Sequence, residues 1–158
     1  IYEARVNGTA PLAAESGILN TGEIPGGGIT PITVTETVNA SAEPRLTISK
    51  AICPSTVVEN GQVTYTFVIQ NSGNIAAVAA DGITVSDTFD PVLDNISVTL
   101  DGTALALTTD YTYDETTGAF ATVPGRITVP AASFAQNAET GEYAVTPGVA
   151  VLTVTGTV

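Results

Sequence analysis

Gln62-Val63-Thr64-Tyr65-Thr66-Phe67-Val68-Ile69-Gln70 is the stretch that decides the fold class. Side chains of an extended chain alternate between two faces, so Val63, Tyr65, Phe67 and Ile69 share one face and Thr64, Thr66, Val68 and Gln70 the other. The first set has the character of a core face, and the β-branched and aromatic content suits a pleated, half-buried surface. Asn71-Ser72-Gly73-Asn74 comes immediately after it and is made of turn residues.

Working outward, runs rich in Val, Ile and Thr recur between turn residues about every 8 to 12 positions, the spacing of a β-sandwich, and helical periodicity is missing. The expected class is therefore all-β, an antiparallel sandwich. Strands are expected near Arg45 to Lys50, Gly82 to Phe89, Ile96 to Leu100 with a partner near Ala104 to Leu107, Tyr111 to Tyr113, Ala119 to Ala121, Arg126 to Pro130 and Val149 to Thr157. Asp101-Gly102 reads as a tight hairpin turn, because glycine tolerates the positive φ such turns require, and Thr117-Gly118 reads likewise.

The chain has 158 residues, a prior of one domain with enough surface to bury a core. Sixteen acidic against four basic residues give a formal net charge of −12, which repels nucleic-acid phosphates and anionic lipid alike. Neither partner is expected; the acidity reads as a solvated, non-aggregating surface. No stretch approaches the roughly 20 apolar residues that span a bilayer, so membrane insertion of the mature chain is not expected. The chain starts at Ile1 and holds no methionine, which suggests a leader removed on secretion. Cys53 stands alone, so no intrachain disulfide is possible and the thiol reads as a buried small hydrophobe, with an intermolecular bridge as the alternative.

Before residue 45 the chain changes character. Pro25-Gly26-Gly27-Gly28 reads as a flexible hinge, with Gly26, Gly27 and Gly28 as its moving part. Beyond it, the segment Ile29 to Val38 reads as an orphan strand, with Ile32, Val34 and Val38 on one face, interrupted only by Glu36, and Thr33, Thr35 and Thr37 on the other. Ala40-Ser41-Ala42-Glu43-Pro44 separates it from the strand at Arg45 to Lys50, since Pro44 has no N–H to give a ladder. The expected organisation is an arm over residues 1–44 and a sandwich over residues 45–158.

Leu46-Thr47-Ile48-Ser49-Lys50, Pro54, Val57, Gly61, Val63-Thr64-Tyr65-Thr66-Phe67, Asn71-Ser72-Gly73-Asn74 and Val85-Ser86-Asp87-Thr88-Phe89 together resemble the prokaryotic cell-surface repeat family known as domain of unknown function eleven. The resemblance is strong over residues 46–89, loose to Val158 and absent from the first 45 residues. It implies an immunoglobulin-like sandwich, an extracellular structural role and no chemistry. Such repeats often run in tandem, whereas this sequence holds one copy. One copy behind a strand-bearing arm is similar to pilins that assemble by donor-strand complementation, in which an N-terminal strand completes a neighbour's sheet. The expected partner is thus another copy of the chain, with Ile29, Ile32, Val34 and Val38 as the donated residues. Burying four such side chains contributes roughly 6 to 12 kcal/mol before ordering costs. A strand folding back onto its own sandwich, and a non-polymerising adhesin or envelope module, are the alternatives.

Lys50, the only lysine, has a sharper reading, because some related surface domains cross-link a first-strand lysine to an asparagine near the last strand. The resemblance would make Asp87 the assisting carboxylate, but Val149 to Val158 offers no asparagine or aspartate as partner. Sequons at Asn7, Asn39 and Asn95 are acceptors for N-glycosylation if the source glycosylates. The acidic groups Asp81, Asp87, Asp90, Asp94 and Asp110, Asp114, Glu115 match no calcium-loop spacing and read as turn chemistry, so neither metal nor cofactor is expected. Without histidine, with one cysteine and one lysine, and with no Gly-rich phosphate loop, the usual triads, zinc sites and nucleotide cradles are closed to this chain. An enzyme is not expected.

Overall fold

A computed structural model of the chain describes residues 3, 5–7, 10, 13, 16–28 and 30–158. Among these, twelve strands run in the order β1 (Gly17–Ile24), β2 (Ile32–Asn39), β3 (Leu46–Cys53), β4 (Gln62–Asn71), β5 (Ser86–Thr88), β6 (Asp94–Leu100), β7 (Thr103–Ala104), β8 (Tyr111–Tyr113), β9 (Ala119–Thr122), β10 (Ser133–Gln136), β11 (Tyr143–Thr146) and β12 (Gly148–Thr157). They form a five-stranded sheet in the order β3-β4-β12-β6-β7, a three-stranded sheet in the order β5-β9-β8, and two separate two-stranded ribbons, β1-β2 and β10-β11. Each of these strand pairs is antiparallel. The chain is all-β, consistent with a β-sandwich.

The alternation of β4 is what builds the core. Val63, Tyr65, Phe67 and Ile69 are all buried, as their common face requires. β12, hydrogen-bonded between β4 and β6, adds Ala150, Leu152 and Val154 on the same side, and β6 adds Val98. The smaller sheet answers with Phe120 from β9 and Tyr111 from β8, and the connecting segments supply Phe89, Leu93, Ile127 and Val129. Phe89 is the aromatic hub, with ring centroids 4.7 Å from Tyr65, 5.8 Å from Phe120 and 6.2 Å from Tyr113. Tilted pairs at these separations stabilise by about 0.5 to 1.5 kcal/mol each beyond area burial. Tyr113 can sit beside this cluster because its hydroxyl is satisfied: it accepts the Leu93 N–H at 2.8 Å and donates to the Leu93 carbonyl at 2.9 Å.

Several expected elements are realised as read. β4, β8 and β12 lie where the alternation places them, and Asp101-Gly102 turns β6 into β7 with φ of +49° and +79°. A two-residue turn with both φ positive matches the twist of the strands it joins, which is why glycine stands there. Asp101 adds its own lock, its Oδ1 accepting the Val151 N–H at 2.8 Å.

Other expectations are corrected. The segment Gly82 to Phe89 forms a strand only over Ser86–Thr88, because a short 3-10 turn at Ala79–Asp81 and a left-handed Gly82 precede it. Arg126 to Pro130 is not a strand; its ladder shrinks to a bridge between Val129 and Ala77, while Ile127 and Val129 are buried for packing instead. The partner near Ala104 to Leu107 is reduced to Thr103–Ala104. Most consequential, Ile32–Asn39 is no orphan. It pairs along its whole length with β1, a strand not expected from the sequence, in a register running from Gly17 opposite Asn39 to Ile24 opposite Ile32. Gly26, Gly27 and Gly28 accordingly lie in the loop that joins β1 to β2 and turn a hairpin, where a hinge between arm and domain was expected.

Candidate assembly interface

The β1-β2 ribbon is amphipathic. Directly opposite residues of an antiparallel pair share a face, so Ile18, Asn20, Gly22 and Ile24 lie with Val38, Glu36, Val34 and Ile32. Leu19 apart, the opposite face carries Gly17, Thr21, Glu23, Thr33, Thr35, Thr37 and Asn39 and is polar. On the apolar face Ile24, Ile32, Val34 and Val38 are 61%, 57%, 66% and 61% exposed, and neither strand pairs with a strand of the two larger sheets. Isolated two-stranded ribbons are marginal in water, and one that keeps four large aliphatic side chains wet has an uncovered face. Ile29, expected among the donated residues, lies outside the described residues; Ile18 and Ile24, which were not expected, join the face.

The ribbon is nevertheless anchored at its base, and the turn after β4 does the anchoring. Asn71, wholly buried at the end of β4, uses its amide four times. Its Oδ1 accepts the Arg45 N–H and the Gly73 N–H, both at 2.9 Å, while its Nδ2 donates to the carbonyls of Ile75 at 2.7 Å and Pro130 at 3.0 Å. Asn74 holds the linker a step further back, accepting from Glu43 N–H and donating to the Ser41 carbonyl. Gly73 lets the two backbones meet: a Cβ there would lie 2.2 Å from the Glu43 carbonyl oxygen. Beside this junction Ile18, Val38, Ser41, Arg45 and Phe134 of the second ribbon line a cavity of about 290 Å³. The segment read as a spacer is thus docked on the sandwich.

A second incomplete surface lies on β3. Among the described strands it is an edge, bonded to β4 alone, and all eight of its residues are exposed. Its register sets Ile48 opposite Ile69, Lys50 opposite Phe67 and Ile52 opposite Tyr65, so Leu46, Ile48, Lys50 and Ile52 occupy the face that β4 uses for the core. Yet Leu46, Ile48 and Ile52 are 37%, 56% and 45% exposed, and no described strand covers that face at the sheet margin. Leu46, Ile48 and Ile69 with Ile83, Thr84 and Val85 line an apolar cleft of about 170 Å³ between β3 and the segment leading into β5. β5 is likewise an edge, paired with β9 alone.

Lys50 spans that margin. Its Nζ makes an ion pair with Asp87 Oδ2 on β5 and lies 4.6 Å from the Tyr65 ring centroid, 5.6 Å from Phe89 and 5.7 Å from Phe67. The structure therefore brings together the two residues singled out from the sequence. Asp87 Oδ2 is buried with no hydrogen bond beyond this ion pair, and Asp87 Oδ1 accepts the Thr88 N–H. The arrangement straps β3 to β5 across the sandwich, with the ammonium over aromatic faces.

The other candidates sit apart. Asn7 and Asn39 lie N-terminal to the sandwich, Asn39 ending β2, and Asn95 stands exposed on β6 with φ of +50°, at the point where the β6-β12 register slips. Asparagine tolerates that left-handed conformation better than most residues. Cys53 is free and exposed at the end of β3, not a buried hydrophobe. Of the acidic groups, Asp81, Asp110 and Asp114 act in turns, accepting from Val78 N–H, Ala106 N–H and Thr116 N–H, and Asp110 also pairs with Arg126; among the described residues no group of three or more His, Cys, Asp or Glu could hold a metal ion. Comparison of the chain with protein families, with characterised proteins and with solved structures gave no match.

Proposed function

We propose that this chain is a structural subunit of an extracellular filament and polymerises by giving its N-terminal strand, carried in the β1-β2 ribbon, to a neighbouring copy. The observation that carries this reading is the apolar face of the ribbon, four of whose aliphatic side chains are more than half exposed while the polar face opposite is threonine-rich. An amphipathic ribbon gains its stabilisation when that face is covered, and eight extended residues reach about 27 Å, the diameter of a small domain. Strand addition supplies main-chain hydrogen bonds together with pockets for alternate side chains, and β3 offers an open edge for it. The immunoglobulin-like family resemblance points the same way, towards a cell-surface structural role without catalysis.

The test is direct. Sedimentation velocity over a range of concentrations and negative-stain microscopy should show concentration-dependent oligomers and thin fibres. Residues 40–158 alone should remain folded and fail to elongate. A full-length protein that stays monomeric and fibre-free under all conditions overturns polymerisation and favours the surface-module alternative; fibres from the truncated chain overturn the role of the ribbon.

A further inference from the structure

Two charges interrupt two otherwise apolar sets with the same period. On β2 the apolar face reads Ile32, Val34, Glu36, Val38; on β3 the core-side face reads Leu46, Ile48, Lys50, Ile52. Within its own ribbon Glu36 faces Asn20 and has no cation opposite it. Lys50 is already engaged by Asp87 on one side, but its side chain is 41% exposed, and an ammonium carries three donors. From this match we infer that the acceptor for the ribbon is the open edge of β3 in a second copy of the chain, with Glu36 of the donor set on Lys50 of the acceptor. The inference rests on the polymerisation reading and names its acceptor groove.

The pairing gives Glu36 a counter-ion once its face is covered and gives Lys50 a second carboxylate beside Asp87. With Glu36 beside Lys50, the flanking Val34 and Val38 fall beside Ile48 and Ile52 whichever way the strand runs, because the period of two is symmetric about the charged position. A register slip of one residue would present the threonine face to the cleft, and a slip of two would set Glu36 among aliphatic side chains with no counter-ion. The charge pair thus selects register, as a polar residue in an apolar seam does elsewhere. Strand addition at β3 also caps an edge of eight exposed residues whose outward backbone groups invite pairing.

Cysteine trapping tests the site in the full chain with Cys53→Ser as background. Glu36→Cys on one preparation and Lys50→Cys on another should give a mixed disulfide dimer under a mild copper oxidant, whereas Glu36→Cys with Thr103→Cys, on the edge strand β7, should not. Because Lys50→Cys removes the strap to Asp87, a second pairing leaves it intact: Val34→Cys should cross-link to Ile48→Cys or to Ile52→Cys, and which of the two reacts gives the strand direction. Glu36→Lys should weaken association at least about tenfold through like-charge contact with Lys50. Mixtures that assemble but give none of these β2-β3 cross-links overturn the groove and leave polymerisation standing. A cross-link formed only within a chain carrying both cysteines overturns the second copy in favour of fold-back. Absence of any association removes both readings.

Discussion

The side-chain amide of Asn71 accepts the backbone N–H of Arg45 at 2.9 Å, tying the end of β4 to the residue that joins the N-terminal ribbon to β3. The same amide serves Gly73, Ile75 and Pro130, so one buried side chain holds three segments that regular pairing does not reach. Asn71→Ala should cost about 3 kcal/mol, since it strands buried backbone donors and acceptors as well as losing their bonds. Urea unfolding would measure the loss, and amide exchange at Arg45 and Gly73 should accelerate more than in β12. Asn71→Asp should rescue only the acceptor half, remaining less stable than wild type.

Gly73→Ala isolates the docking of the linker from the hydrogen bonds. The added methyl meets the Glu43 carbonyl and the Arg45 nitrogen at 2.2 and 2.6 Å, both backbone atoms that cannot rotate away. A loss of about 1 to 3 kcal/mol is expected, with a near-UV spectrum little changed because the aromatic cluster lies elsewhere. An unchanged melting temperature would show that the linker leaves the turn at no cost.

The Lys50–Asp87 ion pair is partly solvated, and screening limits what it contributes. Lys50→Ala should destabilise by about 1 to 2 kcal/mol, chiefly through the Asp87 oxygen left buried without its partner and through lost packing of the lysine stem on Tyr65. Asp87→Asn should cost less. The intact mass of the purified chain should equal that of its sequence; a deficit of one water would mean that the two side chains have condensed to an amide.

Substitutions on the ribbon should separate folding from assembly. Val34 is two-thirds exposed, so Val34→Asp should leave thermal stability of the monomer within about 0.5 kcal/mol while abolishing concentration-dependent association in sedimentation. Phe67→Ala provides the contrast, with an expected core cost of about 3 to 5 kcal/mol.

Asp114 gives the chain an acid-sensitive loop. Its Oδ1 accepts the N–H groups of Thr116 at 2.8 Å and Thr117 at 3.3 Å, and these bonds to the charged form hold its pKa below the ordinary 3.8. A carboxylate with a depressed folded-state pKa stabilises above its unfolded value and stops doing so as pH falls through the folded one. The difference in melting temperature between wild type and Asp114→Ala should therefore be present at pH 6 and vanish towards pH 2.

Local pattern sufficed for the all-β class, the core face of β4, the course of β12 and the Asp101-Gly102 turn, because each arises from period-two alternation or from a φ requirement confined to adjacent residues. Lys50 and Asp87 come together in the sequence only through the family resemblance, as a lysine and the carboxylate assisting its cross-link to an asparagine, and the structure joins them as an ion pair. Elements whose partners carry little signal were not legible. β1 is too sparse in apolar residues to be recognised alone, so Pro25-Gly26-Gly27-Gly28 passed for a hinge and β2 for an orphan. Val129 has strand chemistry but makes only one bridge, since its neighbours are needed to close the core.

By itself, then, the sequence determined the inward face of β4, the course of β12 and the turn at Asp101-Gly102, as these depend on side-chain alternation and backbone sterics within a few residues. Only the tertiary structure decided that β1 covers one edge of β2, that β3 ends the larger sheet with its inner face bare, and that Asn71 fastens the ribbon to the sandwich. None of these is fixed by one strand's own pattern: each is set by which hydrogen-bonding edges and apolar faces the rest of the fold leaves unfilled, whether in the β1-β2 hairpin or across the 26 residues from Arg45 to Asn71.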